Sequence, residues 1–502
     1  MGVMRFLVHP KDLLEDWPEV HRAYVSGIDG RVFPTRVEVD ENLVACYRNS
    51  SESGKLHVAW PVEGFGRPVI TSSSLPERDE PYVLAVELAR GKISRIRDQV
   101  SYWELAGMTL SEEFHALNRE THRLFGRATS MQDQPAAASA LACSALAAAF
   151  QAAETVVRSY TDQRLEVRRT KSPQLPAALG SSLGHTVPDP SWSARFCEAF
   201  NAASVPLEWR LIEPTEGDYR WDAYDEQVQW CQDNHLLIVG GPLVDLSPEG
   251  MPGWLSQWEH DLFNLQSFIG DFVETAMSRY AGKIRNWEIA ARVNTGGHLA
   301  LNEENRLTLT ARTLEIASQV DEDNQLMVGI DQPWGDYQAR GQHQLSPLQF
   351  VDALIRSGAP LSGINLEIAI GYRPRGTASR DVLDFSRMVD IWSTLGVPLY
   401  VTLAFPSATN VDENAKPDLE VDRAGWKKPW SEAAQAEWVD LYLPLLMAKE
   451  SVVGIHWTHF TDQTAHRFPN AGLLRADGQS KPALEHIINY RREYWSGDDS
   501  ET

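Results

Sequence analysis

Hydrophobic and polar positions follow different rhythms along the chain. Near the N-terminus the apolar positions come in short runs. RVEVDENLVACYR (36–48), KLHVAWPV (55–62) and PYVLAVELA (81–89) have strand composition, and clusters of Gly, Pro, Ser and Asn separate them. Such runs between turn residues predict strands, and several in about 100 residues predict a small sandwich. Residues 1–107 are read as a β-rich, sandwich-like domain.

The rhythm then turns helical. Thr109 and Glu112 have the T-x-x-E spacing of a capping box ahead of FHALNRETHRLF, which predicts a helix over 109–126. A second helix is predicted after Asp133, in QPAAASALACSALAAAFQAAETVVRSY, with Pro135 in its first turn and Ala throughout. Small residues on every face imply close packing against other helices or another subunit. Residues 108–171 are read as a helical connector that offers a surface for a homo-oligomer.

Beyond this point short apolar runs alternate with amphipathic segments. The runs are LLIVGGPLV (236–244), NWEIAA (286–291), QLMVGI (325–330), GINLEIAI (363–370), PLYVTLAF (398–405) and VVGIHWTHF (452–460). FIGDFVETAMSRYAG (268–282) and PLQFVDALIRSGA (347–359) are helical segments between them. Regular strand–helix alternation implies βα units around a parallel sheet, and the length suits an eight-fold barrel. The fold class is therefore α/β, with a (β/α)₈ TIM barrel over 172–492; residues 493–502 are read as a disordered acidic tail.

Composition narrows the function. The net charge of −23, from 69 acidic and 46 basic residues, repels phosphate backbones and argues against a nucleic-acid partner. Cys46, Cys143, Cys197 and Cys231 are scattered, with no CxxC or Cys/His cluster. With no phosphate loop or Rossmann fingerprint either, neither a metal nor an organic cofactor is expected. The N-terminus MGVMRFLVHPKDLLEDW carries no signal-peptide run, and no apolar stretch of about 20 residues is read, so a cytoplasmic protein without a membrane partner is expected. The 17 Trp residues suit either a sugar site or an ordinary core.

The motifs of the barrel region resemble glycoside hydrolase family ten, the retaining β-1,4-xylanases, over roughly 178–490. GIHWTHFTD (454–462) followed by FPNAGLLRADGQSKPA (468–483) is similar to the family's last strand and the stretch after it. YAGKIRNW (280–287) resembles the lead into the acid/base strand; Trp209, Pro214, Gly217 and Tyr219 resemble a second segment, and Pro252 and Trp254 a third. The resemblance implies two catalytic glutamates, and here both are replaced: the acid/base position falls on Arg292 in WEIAAR, and the nucleophile position on Leu403 after PLYVT. Arginine is no proton donor at neutral pH, and leucine is no nucleophile. The sugar-holding positions change too, to Glu208, Gly241, Asp245, Glu367 and Ala369.

Two readings of this mouth stand side by side. In the first, a carboxylate pair has moved to new strands, with Glu367, Asp331 and Asp245 as catalytic candidates. Arg292, Trp254, Trp334, Trp457, His459 and Asp462 would bind an oligo- or polysaccharide, with water as second substrate. In the second, the protein is an inactive pseudo-glycosidase that binds glycan or serves as a structural subunit. Bland roles exist for each residue: an ion pair of Glu367 with Arg292, a turn at Asp331, packing for Trp254 and Trp457, a rim place for His459 and a structural place for Asp462. Three charged groups in one buried mouth need each other or a ligand.

Overall fold

A computed structural model of the protein describes residues 2–495, apart from residues 249, 300 and 342. The N-terminal part holds two four-stranded sheets. In the first, Gly2–Leu7 pairs with Leu43–Arg48, which pairs with Arg36–Asp40. The run 36–48 is thus a hairpin rather than one strand. The second sheet joins Val32–Phe33, Tyr24–Ser26, Lys55–Ala59 and Val69–Thr71. Phe6, Val25, Cys46, Leu56, Val58 and Trp60 fill a core common to both sheets.

The segment 81–89 departs from its strand composition. Only Tyr82–Val83 joins the sheet, and helix α1 (Leu84–Leu105) begins at the next residue. The reason lies beyond the nine-residue window: Leu84, Leu88, Ile96, Val100 and Trp103 recur at helical spacing and are all buried. Gly91 lets α1 lie against the second sheet, because a Cβ there would sit 2.0 Å from the Thr71 carbonyl oxygen.

Helix α2 (Glu112–Ser130) is capped by Ser111, whose hydroxyl accepts from the Phe114 amide at 3.2 Å. Thr109, the expected cap, instead donates its amide to Gln163 at 3.0 Å. Helix α3 (Pro135–Lys171) starts at Pro135 as predicted. Its Ala138, Ala142, Ala145, Ala149 and Ala153 are wholly buried, and it contacts α1, α2 and the helix Glu432–Ala448. The small residues therefore serve close helix packing within the chain. By length and a mean hydropathy of 1.5 over its apolar window, α3 is also apolar enough to cross a membrane, with 50% of that window buried. This corrects the reading that no such stretch exists: Ala raises hydropathy without bulky side chains.

Eight parallel strands close the barrel: β1 (Ala178–Ser182), β2 (Ala202–Val205), β3 (Leu237–Gly240), β4 (Asn286–Ala291), β5 (Gln325–Asp331), β6 (Gly363–Ala369), β7 (Leu399–Ala404) and β8 (Val452–Trp457). Each pairs with its neighbour in sequence, and β8 pairs back onto β1. β1 (ALGSS) and β2 (AASV) have too little β-branched or aromatic content to stand out in the sequence. The last helix, Pro482–Trp495, takes in 493–495 of the expected tail and anchors Trp495, whose indole donates to the Ala177 carbonyl at 2.6 Å. Residues 496–502 lie outside the described residues.

Candidate active site

The carboxyl ends of the strands surround a cavity of about 760 Å³. Period-two alternation decides what each strand shows it. β5 shows Met327, Gly329 and Asp331, β6 shows Asn365 and Glu367, and β7 shows Tyr400 and Thr402. Leu403, where the resemblance places a nucleophile, turns the other way and packs in the apolar core with 2% exposure. The cavity-facing neighbour is Thr402, whose hydroxyl donates to Asn365 Oδ1 at 2.9 Å.

Arg292 sits just past β4 and organises the floor. One guanidinium nitrogen donates to Asp245 Oδ2 at 2.8 Å, and the other bonds Glu367 Oε2. Asp245 ends a two-residue extension that pairs with the end of β4, Val244 with Ala290 and Asp245 with Ala291. Arg292 has φ of 55°, a left-handed conformation that bulky residues seldom adopt and that needs support from its surroundings. The two ion pairs supply that support. Burial pushes the Glu367 carboxyl up to about 7, although Arg292 draws it down. Arg467 approaches the other oxygen, Oε1, at 3.5 Å.

Asp331 is 1% exposed. It accepts from the Thr295 hydroxyl at 2.6 Å, and its amide donates to Asn294 Oδ1 at 3.3 Å. Burial raises its carboxyl above the usual range, against the Thr295 bond and Arg292. Glu288 on β4 was passed over in the sequence. It is buried, takes a hydrogen bond from Asn365 at 3.1 Å, and burial lifts it to about 7. Gly329 makes room for it, since a Cβ there would lie 2.1 Å from Glu288 Oε1. The signal for Glu288 was an acidic residue inside an apolar strand, WEIAA.

The binding candidates divide. Trp457 lines the cavity, with its indole fixed on the Ala471 carbonyl at 2.7 Å. His459 also lines it, and its Nε2 meets Asp462 Oδ1 at 3.0 Å. Asp462 lies behind that wall, taking the Gly472 amide at 2.7 Å and the Lys481 ammonium at 2.6 Å. Burial raises its carboxyl, but His459 and Lys481 overcome this and hold it well below the ordinary range. Trp254 and Trp334 are not among the cavity walls. Trp254 donates to the Glu213 carbonyl at 3.0 Å and packs edge-on against Trp209 and Phe268. Trp334 packs on Phe385 beneath the Arg380 guanidinium. Both pack among aromatic side chains away from this cavity's walls.

His459, Asp462 and His466 converge closely enough to share a metal ion. Their atoms are already engaged: Lys481 supplies the positive charge at Asp462, and His466 Nε2 is held by Asp412 Oδ2 at 2.9 Å. The cluster reads as an internally satisfied brace.

Comparison with known proteins places the barrel. Residues 198–310 match the model of glycosyl hydrolase family 10. The chain is 23% identical over 226 residues to endo-1,4-beta-xylanase B of Thermotoga neapolitana, covering 43% of this chain and 62% of that protein. It is 22% identical over 198 residues to endo-1,4-beta-xylanase 5 of Arabidopsis thaliana, covering 39% and 34%. Native xylanase 10B from Thermotoga maritima shares the fold, with a TM-score of 0.50 and 17% identity over 65% of this chain and 98% of that one. The chain thus spans under two-thirds of the length of these curated relatives.

Proposed function

From the premise that this chain carries a barrel of the glycosyl hydrolase family 10 kind, we propose that it hydrolyses glycosidic bonds of an oligo- or polysaccharide at a remodelled site. The observation that carries the reading is the open cavity holding Asp245 and Glu367 on one guanidinium. A glycosidase needs one carboxyl that keeps its proton and one that is ionised, flanking the scissile bond. Glu367, pushed up to about 7, retains protons near neutrality and serves as the acid. Asp245, ion-paired with Arg292, serves as the carboxylate that guides water or attacks the sugar. Asp331 supports the floor through Thr295, and Trp457 offers an aromatic wall to a ring face. The positions that the resemblance assigns to family glutamates, Arg292 and Leu403, take no part as acid or nucleophile.

Arg292 also favours a second reading. A guanidinium that ties up both carboxylates suits a cavity that binds glycan without cleaving it. A panel of glycans and aryl glycosides, with Glu367→Gln beside the wild type, separates the two. The expected result is sugar release by the wild type and a loss of about 10²–10⁴-fold in the variant. No release from any substrate supports the binding protein; release untouched by the substitution removes Glu367 from the role. The acid role also sets a pH profile. Activity should fall as pH rises through about 7, where Glu367 loses its proton, and a rate that climbs through that region counts against it.

A further inference from the structure

We propose that the cavity takes a sugar bearing a carboxylate, a uronic acid residue, with Lys416 and Arg467 as its counter-ions. This rests on the reading above that the cavity is the glycan site.

The loops after β7 and β8 are zipped together over one side of the cavity. The Lys416 amide donates to the His466 carbonyl at 2.9 Å, and the His466 amide donates to the Asn414 carbonyl at 3.1 Å. Asp412 Oδ2 takes both His466 Nε2 and the Asn470 amide. This pairing sets Lys416 beside the residue following His466, which is Arg467, and both side chains line the cavity.

These two cations differ from the others there. Arg292 is spent on Asp245 and Glu367, Arg210 on Glu208 at 2.6 Å, and Arg375 on Asp418 at 3.4 Å. The Lys416 side chain makes no hydrogen bond or close ion pair among the described residues; its charge acts only at longer range, helping to hold the Glu208 carboxyl low. Arg467 meets a single carboxylate oxygen, Glu367 Oε1 at 3.5 Å, and both of its terminal nitrogens are buried without a hydrogen bond. Its guanidinium is held over the Phe468 ring. A buried guanidinium that makes no hydrogen bonds is costly, and a planar carboxylate matches its fork through two parallel bonds. In a chain of net charge −23, cations left over at a cavity wall mark a site for a negative group. A monoanion fits better than a phosphate dianion, because Glu208, whose carboxyl is held well below its usual range, and Asp245 line the same cavity and would repel the second charge.

The test is equilibrium binding to the full chain by titration calorimetry. The probes are uronic-acid oligosaccharides, the same oligosaccharides with each carboxyl reduced to hydroxymethyl, and inorganic phosphate as a competitor. The wild type should bind the acidic forms about 10- to 100-fold more tightly, as expected for charge-assisted hydrogen bonds. Lys416→Gln and Arg467→Gln should each shrink that preference, leaving affinity for the reduced forms unchanged. Lys416→Gln guards against a folding artefact, since the substitution keeps the backbone bond to His466 and removes no side-chain hydrogen bond. Equal binding of acidic and reduced forms, a preference that survives both substitutions, phosphate competing as well as the acidic sugar, or no binding of any probe would each overturn the proposal. Acidic preference without hydrolysis of any glycan would remove the glycosidase alone; hydrolysis of neutral glycans without acidic preference would remove the uronic acid site alone.

Discussion

At the scale of single residues, burial sets the chemistry of this cavity. Glu288 lies wholly inside the barrel and takes one hydrogen bond, from Asn365. Its folded-state value of about 7 stands above that of the unfolded chain. The sign follows: the folded form holds the proton more tightly, so this contribution is fully present below the unfolded value and is lost as pH rises through about 7. The linked cost at alkaline pH is on the order of 3 kcal/mol. Glu288→Gln keeps an acceptor for Asn365 and removes the titration. Denaturant unfolding should find it more stable than the wild type at pH 8 by up to about that amount, with little difference at pH 4; an unchanged difference across pH would contradict the assignment. Arg292 behaves oppositely. Arg292→Met leaves Asp245 and Glu367 without their shared cation, and a broken buried pair costs about 3–5 kcal/mol. A variant as stable as the wild type at pH 7.5 would show that the clamp carries no weight.

At the scale of elements, short windows misjudge segments whose pattern is longer. PYVLAVELA has strand composition, yet its apolar residues extend a helical stripe that ends at Trp103. The helix reaches the sheet at Gly91, where a side chain has no space and the obstacle is backbone. Gly91→Ala should cost about 1–3 kcal/mol through overpacking, despite the better helix propensity of Ala; a stabilised variant would mean that α1 rides higher on the sheet. The same scale governs β7. Its composition marks a strand, while the facing of Thr402 rather than Leu403 toward the cavity follows from register with β6 and β8.

At the scale of the whole molecule, buried charge joins the N-terminal part to the barrel. Arg380, 2% exposed, bonds Asp336 through both carboxylate oxygens at 2.7 and 2.8 Å, and Tyr24 of the second sheet donates to the same carboxylate at 2.5 Å. Lys92 of α1 meets Asp381, and Arg95 meets Asp384. Asp336→Ala leaves the buried Arg380 with only Asp384 at 3.6 Å and the Tyr24 hydroxyl at 3.3 Å, and a loss of about 3 kcal/mol is expected. Because the contacts cross the boundary, calorimetry of the wild type should show one transition. Two well-separated transitions would mean that the parts fold independently.

The barrel is legible along the chain, because βα alternation repeats over hundreds of residues and needs no partner to be read, even though β1 and β2 do not stand out. The resemblance also puts the candidates Asp245, Arg292, Asp331 and Glu367 at the ends of barrel strands, where barrel sites lie. Their relations arise only when the barrel closes. Arg292 lies 47 residues from Asp245 and 75 from Glu367 along the chain and bonds both. Trp254 and Trp334 carry the same side chain as Trp457, but their loops turn them away from the cavity. Lys416 is bonded to His466, next to Arg467, through two loops that no local pattern links. Periodicity is a property of neighbours in sequence, whereas a site is a closure between strands, and the register of that closure is fixed by packing across the whole barrel.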